Sequence, residues 1–195
     1  MNKVSSNFIA EHVLKAVGAE VYGAPGTFDK GVRAVGVYLE ELGFDDSEFR
    51  VMNGSGLSRD TRLAPHQITA VLLDMHRNRA VGPEFVSSLS IGGWDGTLRS
   101  RFDGDTAGRI RGKTGSLDFV HCLAGYVDAG DGDVYAFAFL INDLRSRWPA
   151  TRLQDRFMQA LVDLGSGDPD LQGAIAPLDA GPEPETDTAD RALPQ

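Results

Sequence analysis

The chain has 195 residues, a formal net charge of −9 and 42% hydrophobic residues. That length suffices for one domain with a real core, the acidic balance argues against nucleic-acid binding, and no stretch approaches the ~20 apolar residues of a membrane span. A single cysteine, Cys122, excludes an internal disulfide, and the four histidines (His12, His66, His76 and His121) are too scattered to give a metal-ligand spacing.

In chain order, Ser5–Val17 reads as a helix closed by Gly18, with Phe8, Ile9, Val13, Leu14 and Val17 on one broad face. Ser5 or Ser6 is a candidate N-cap for it. Lys30–Leu42 reads as a second helix closed by Gly43, turning Val32, Val35, Tyr38, Leu39 and Leu42 inward. Phe49–Met52 is a short strand candidate. Pro65–Arg77 is a third helix, with Pro65 suited to its first turn, and Pro83–Leu89 is a short helix or turn. Arg109–Thr114, Phe119–Asp128 and Val134–Asn142 read as strands, with Ala129-Gly130-Asp131-Gly132 as a tight hairpin. Trp148–Leu164 closes the folded part as a helix, with Leu153, Phe157, Leu161 and Leu164 on one face. Helices first, then consecutive antiparallel strands, then a helix: the fold class is α+β, an antiparallel sheet covered by helices.

Residues 1–165 are expected to form this domain and residues 166–195 a separate tail. The tail carries seven acids and one base, a net −6, and five of the nine prolines. Low hydrophobicity, proline and like charge describe a segment that buries too little apolar surface to fold. It is expected to be disordered.

Three short motifs carry chemistry. Ser5-Ser6-Asn7 is an S-x-N triplet at the head of the first helix. Asn53-Gly54-Ser55-Gly56-Leu57-Ser58-Arg59 reads as a strand end followed by a Gly-Ser-Gly turn. Lys113-Thr114-Gly115-Ser116 places an ammonium, hydroxyls and backbone N–H groups on one strand, with a glycine that lets substrate backbone lie alongside. Taken singly, each has an ordinary reading as a cap, a loop or a turn.

In the order S-x-N, GSGLSR, KTGSL, the motifs closely resemble the low-molecular-mass class C penicillin-binding proteins, the D-alanyl-D-alanine carboxypeptidase/endopeptidases. K-T-G is one of three motifs of penicillin-binding proteins and class A β-lactamases, with S-x-x-K and S-D-N. Ala24-Pro25-Gly26-Thr27, Gly93-Trp94-Asp95-Gly96-Thr97-Leu98 and Leu123-Ala124-Gly125-Tyr126 share the resemblance, which covers about residues 1–163. Asn53 departs from it, standing where the family usually has Asp before Gly-Ser-Gly. A larger departure is the S-x-x-K itself. The lysines are Lys3, Lys15, Lys30 and Lys113, and none has a serine three residues before it. The chain is therefore expected to be the C-terminal part of a penicillin-binding, β-lactamase-like domain, with the nucleophilic serine supplied by a missing N-terminal segment or a separate chain.

The resemblance implies acyl transfer on the D-Ala-D-Ala end of peptidoglycan stem peptides, with β-lactams as substrate analogues and no metal or organic cofactor. Ser5 would relay a proton toward the leaving amine, and Asn7 would bind the substrate amide. Lys113 would hold the proton network and favour the anionic substrate end. Thr114 would bind the terminal carboxylate, and Gly115 and Ser116 would line the groove, the Ser116 N–H giving half of an oxyanion hole. The family acts outside the cytoplasmic membrane, whereas no signal peptide is read at Met1. A non-catalytic peptide- or β-lactam-binding module is the alternative reading. Cys122 is expected to pack in the core.

Overall fold

The computed structural model describes residues 1–130 and 132–165. The tail from residue 166 lies outside the described residues. Five α-helices and four strands are arranged as α1 (Asn7–Tyr22), α2 (Phe28–Glu41), α3 (Pro65–Arg77), α4 (Gly82–Ser88), β1 (Ser90–Ile91), β2 (Ile110–Leu117), β3 (Val120–Asp128), β4 (Val134–Ile141) and α5 (Arg147–Leu164). Single 3-10 turns fill parts of the connections.

The strands form one antiparallel sheet in the order β1-β2-β3-β4. Alternation along each strand separates two faces. One face presents Ile110, Leu123, Val127 and Phe137 to α5, where Met158, Leu161, Val162 and Leu164 complete the main core with Leu98 and Phe102. The other face presents Tyr126, Ala124, Val134 and Ala136 to α3 and α4, against Leu72, Ile68 and Phe85. Tyr126 Oη donates to the Leu72 carbonyl at 2.5 Å, and burial pushes its pKa up to about 12. Tyr38 Oη donates to Asp74 Oδ2 at 2.6 Å, tying α2 to α3.

Helix ends follow local chemistry. Ser6 caps α1 by accepting from the Ile9 N–H, and Thr27 caps α2 by accepting from Lys30. Pro65 opens α3, as its sequence suggests. The expected stop at Gly18 is overturned: α1 runs on to Tyr22 and ends at Gly23, whose φ is +79°. Gly18 is a crossing point instead. A Cβ there would lie 2.5 Å from the Gly31 nitrogen, so the glycine lets α1 and α2 touch backbone to backbone.

Two helices bury faces other than those their apolar patterns predict. On α1, Leu14 and Gly18 are buried, while Phe8 is 73% exposed and Val13 46%. The apolar stripe is real, but α1 meets α2 along one narrow line. On α5 the buried stripe is Ala150, Gln154, Met158 and Leu161, and Leu153 and Phe157 are exposed. Gln154, a polar residue, sits inside that stripe and shifts it by one position. Phe49–Met52 is not a strand. Its pairing is one isolated bridge, Arg50 to Arg62, because no third segment extends the ladder.

Candidate active site

β2 does not end at Thr114. It continues to Leu117, so Lys113-Thr114-Gly115-Ser116 lies within the strand, paired across to Ala124, Leu123, Cys122 and His121. β1 covers β2 only at Arg111 and Gly112. From Lys113 onward no described strand lies on that edge, and an open edge offers backbone groups to a ligand.

Alternation sends Lys113 and Thr114 to opposite faces. Lys113 points toward the helices. Its Nζ donates to Ser5 Oγ at 2.8 Å and to the Thr114 carbonyl at 2.5 Å. Burial lowers its pKa below the ordinary lysine value, since desolvation disfavours the ammonium. Ser5 is held at φ +51°, a left-handed conformation that non-glycine residues seldom adopt. The strain sits one residue before the Ser6 cap and turns the Ser5 hydroxyl to Lys113. Two ties fix the segment leading into it: Asn2 donates to Ser88 Oγ at 2.8 Å, and Lys3 pairs with Asp95. The Lys3 bond, with a backbone N–H from Ile91, holds the Asp95 carboxyl below its usual range.

Ser5, Asn7, Lys113, Thr114 and Gly115 line a single cavity of about 480 Å³, together with Ser55 and the apolar side chains of Ile68, Leu72 and Phe85. The structure thus brings together the S-x-N, Gly-Ser-Gly and Lys-Thr-Gly motifs. The Asn7 side chain has no hydrogen-bond partner among the described residues. Cys122 is half-buried and lines this cavity as well as a neighbouring one. It faces Gly115, whose missing side chain leaves the thiol uncovered, so core packing is only part of its environment. Burial pushes the thiol pKa up.

Thr114 faces the α5 side. Its Oγ1 donates to Thr97 Oγ1 at 2.9 Å. Ser116 is exposed on that face of the open edge. The Lys113 ammonium bridges Ser5 and the Thr114 carbonyl, while the Thr114 hydroxyl turns to the opposite face of the strand.

Sequence reasoning missed Glu11. Its carboxylate accepts from the backbone N–H groups of Gly54 and Ser55, both at 3.1 Å, and from Ser55 Oγ at 2.5 Å. Burial raises its pKa, but these bonds outweigh that and hold it low. Glu11 thus moors the Gly-Ser-Gly turn to α1. Asn53, the departure from the family pattern, caps the same turn by accepting from the Gly56 N–H at 3.2 Å. The signal was available: Glu11 falls one helical turn beyond Asn7, toward the cavity.

No group of three or more His, Cys, Asp or Glu that could hold a metal occurs among the described residues, and no described helix is long and apolar enough to cross a membrane.

The model of the D-Ala-D-Ala carboxypeptidase 3 (S13) family matches residues 1–163. Carboxypeptidase DacB of Mycolicibacterium smegmatis is 38% identical over 154 residues, which cover 73% of this chain and 32% of that protein. D-alanyl-D-alanine carboxypeptidase DacB of Haemophilus influenzae is 32% identical over 145 residues, 73% of this chain and 30% of the other. The crystal structure of penicillin binding protein 4 (dacB) from Haemophilus influenzae superposes with a TM-score of 0.75 at 29% identity, covering 83% of this chain and 38% of that one. The same protein has been solved in complex with a β-lactam. The chain spans about a third of the length of the curated relatives it matches.

Proposed function

The chain belongs to the D-Ala-D-Ala carboxypeptidase 3 (S13) family, and from that we propose that it forms the Lys-Thr-Gly wall of a serine-type D-alanyl-D-alanine carboxypeptidase/endopeptidase site. The substrate class is the D-Ala-D-Ala end of peptidoglycan stem peptides, and β-lactams are its acylating analogues. The reaction takes place outside the cytoplasmic membrane.

One observation carries this reading: the 2.8 Å bond from Lys113 to Ser5, made across the cavity that also collects Asn7 and Ser55. In acyl transfer, a serine oxygen attacks the amide carbonyl, the C–N bond breaks and the departing amine takes a proton. Water then hydrolyses the ester. Ser5 is the hydroxyl that passes the proton to the amine, and Lys113 holds that hydroxyl in place and exchanges protons with it. A partly desolvated lysine with a lowered pKa suits this task better than a solvated one. Asn7, unpartnered, is free to bind the substrate amide. Thr114 meets the terminal carboxylate. The open edge at Gly115 and Ser116 offers an N–H to the oxyanion, worth about 3 kcal/mol in comparable sites. The chemistry uses no metal or organic cofactor.

The attacking serine comes from a Ser-x-x-Lys element outside these 195 residues, seated in the apolar part of the 480 Å³ cavity. The match covers only 32% and 30% of the length of these relatives, which supports this. The absence of Ser-x-x-Lys from these residues also suits a second reading, a binding module that holds the peptide without acylation. The two separate in one experiment. The rate of acylation by a fluorescent penicillin is measured on the protein carrying a Ser-x-x-Lys segment, with and without Ser5→Ala and Lys113→Ala. Loss of at least about tenfold in each variant supports the enzyme. No acylation of the unaltered protein selects the binding module.

A further inference from the structure

α3 ends beside another cavity, of about 480 Å³, that the mechanism above does not use. It shares no lining residue with the catalytic cavity. α4 divides the two: Phe85 borders the catalytic side, and Val86 and Ser87 border this one. His76, Arg79 and Arg111 line it, and among the described residues no carboxylate does.

The C-terminal end of a helix attracts cations on its own account, which explains His76 and Arg77 in the last turn of α3. It does not explain Arg111, which comes from the sheet. Arg111 lies two residues before Lys113, on the same face of β2, and is half-buried. Neither Arg111 nor Arg79 makes a hydrogen bond or an ion pair among the described residues. The carboxylate that feels Arg111 is Asp95, and it is held by Lys3 and by the Ile91 N–H at 2.7 Å. A partly desolvated cation with no anion of its own is an incomplete arrangement. Asn78 adds a donor. Its Oδ1 accepts from the Ala80 and Val81 N–H groups at 3.0 and 3.3 Å, so the amide nitrogen is turned away from them. The turn that carries Asn78 and Arg79 is fixed: Gly82 donates to the Asn78 carbonyl at 2.7 Å, and a Cβ on Gly82 would lie 2.5 Å from the Met75 carbonyl oxygen. The Ser87 hydroxyl is occupied, donating to the Glu84 carbonyl at 2.9 Å.

We propose that this cavity binds a phosphate group, with Arg111 and Arg79 as its cations and the Asn78 amide as a further donor. A guanidinium presents a planar fork of N–H donors to phosphate oxygens. Two forks and an amide, arriving from β2 and from the α3–α4 turn, suit a group with three or more acceptor oxygens better than the two oxygens of a carboxylate. The site lies across α4 from the catalytic cavity, so it anchors a phosphate-bearing ligand without taking part in acyl transfer, and it does not depend on the acyl-transfer reading.

The test titrates inorganic phosphate, glycerol 3-phosphate, dimethyl phosphate and acetate into the 195-residue chain at constant ionic strength. NMR follows the backbone amides of Asn78, Arg79, Ser87 and Arg111. Phosphate should bind at least about tenfold more tightly than acetate, the range of one charge-assisted hydrogen bond, and should leave the Thr114 and Ser116 amides unshifted. Dimethyl phosphate binding as tightly as glycerol 3-phosphate identifies a phosphodiester as the ligand, and weaker binding identifies a monoester; either supports the site. Arg111→Gln and Arg79→Gln should each weaken phosphate binding about tenfold, Arg111→Lys should keep part of it, and Arg99→Gln, outside the cavity, should leave it intact. Arg79 is exposed, so its variant tests the site without disturbing the sheet. Equal binding of phosphate and acetate, no binding of phosphate, or unchanged phosphate binding in either glutamine variant at Arg111 or Arg79 overturns the proposal.

Discussion

Lys113 and Ser5 are 108 residues apart in sequence, and the Lys113 ammonium donates to the Ser5 hydroxyl at 2.8 Å. The bond spans two layers, from the strand β2 to the strained turn before α1. It therefore reports on the assembly of the whole site, and its consequences can be measured.

Lys113 should titrate below the ordinary lysine value of 10.5, because burial disfavours its charge. Ser5→Ala removes an acceptor of the ammonium and should lower that pKa further. The sign for stability follows. A lysine whose folded pKa is depressed binds fewer protons folded than unfolded between the two values, so its contribution to stability rises as pH climbs through that window. NMR of the lysine side chain against pH reads both effects. An upward shift in Ser5→Ala would show that the hydroxyl does not accept from Lys113.

Glu11→Ala should cost about 1 kcal/mol or more, since it leaves the Gly54 and Ser55 N–H groups without their carboxylate. The Glu11 pKa is held below its ordinary value of 4.5. Its contribution is therefore present above 4.5 and is lost as pH falls through the lower, folded-state value. Urea unfolding at pH 7 and at pH 3 checks this: the difference between wild type and variant should shrink at the lower pH.

Gly31→Ala should destabilise by about 1–3 kcal/mol, the cost of overpacking a tight contact. A Cβ there would lie 2.3 Å from the Leu14 carbonyl oxygen and 2.6 Å from its Cγ. Gly43→Ala tests the opposite case. No atom lies near its Cβ, but its φ is +93°, so the loss should come from backbone strain alone and be smaller. Equilibrium unfolding of both variants gives the ranking.

Among the described residues β4 forms one edge of the sheet, with apolar side chains on both faces: Tyr135, Phe137 and Phe139 toward α5, and Val134, Ala136 and Ala138 toward the helical side. An apolar run with an unpaired edge is an association hazard. The isolated chain should dimerise or aggregate through β4. Light scattering and hydrogen exchange check it, and a monomer with Val134–Ile141 protected throughout would show the edge to be covered.

Much of this was legible in the sequence because it is local. Pro65 and the apolar period of α3, the caps of α1 and α2, and the β2–β3–β4 order follow from nearby residues. The three motifs converge on one cavity as their order suggested. What was not legible depends on third parties. Gly18 looks like a helix stop until α2 is seen to cross it. Nothing near Gln154 in sequence shows that Arg101, 53 residues away, takes its amide oxygen and that the side chain is buried. Strand alternation does predict that Lys113 and Thr114 part company, but only once β2 is known to run through both and on to Leu117. The exposure of Phe8 and Val13 has the same root: a face is buried only where another element reaches it.

The most direct test of the acyl-transfer site is intact-mass measurement after incubation with a fluorescent penicillin. The 195-residue chain alone should form no adduct. The same chain joined to a Ser-x-x-Lys segment should form one stoichiometric adduct on that serine, at a rate at least about tenfold lower in Lys113→Ala. An adduct on Ser5, Ser55, Ser58 or Thr27 of the chain alone, or an unchanged rate in Lys113→Ala, would contradict the account.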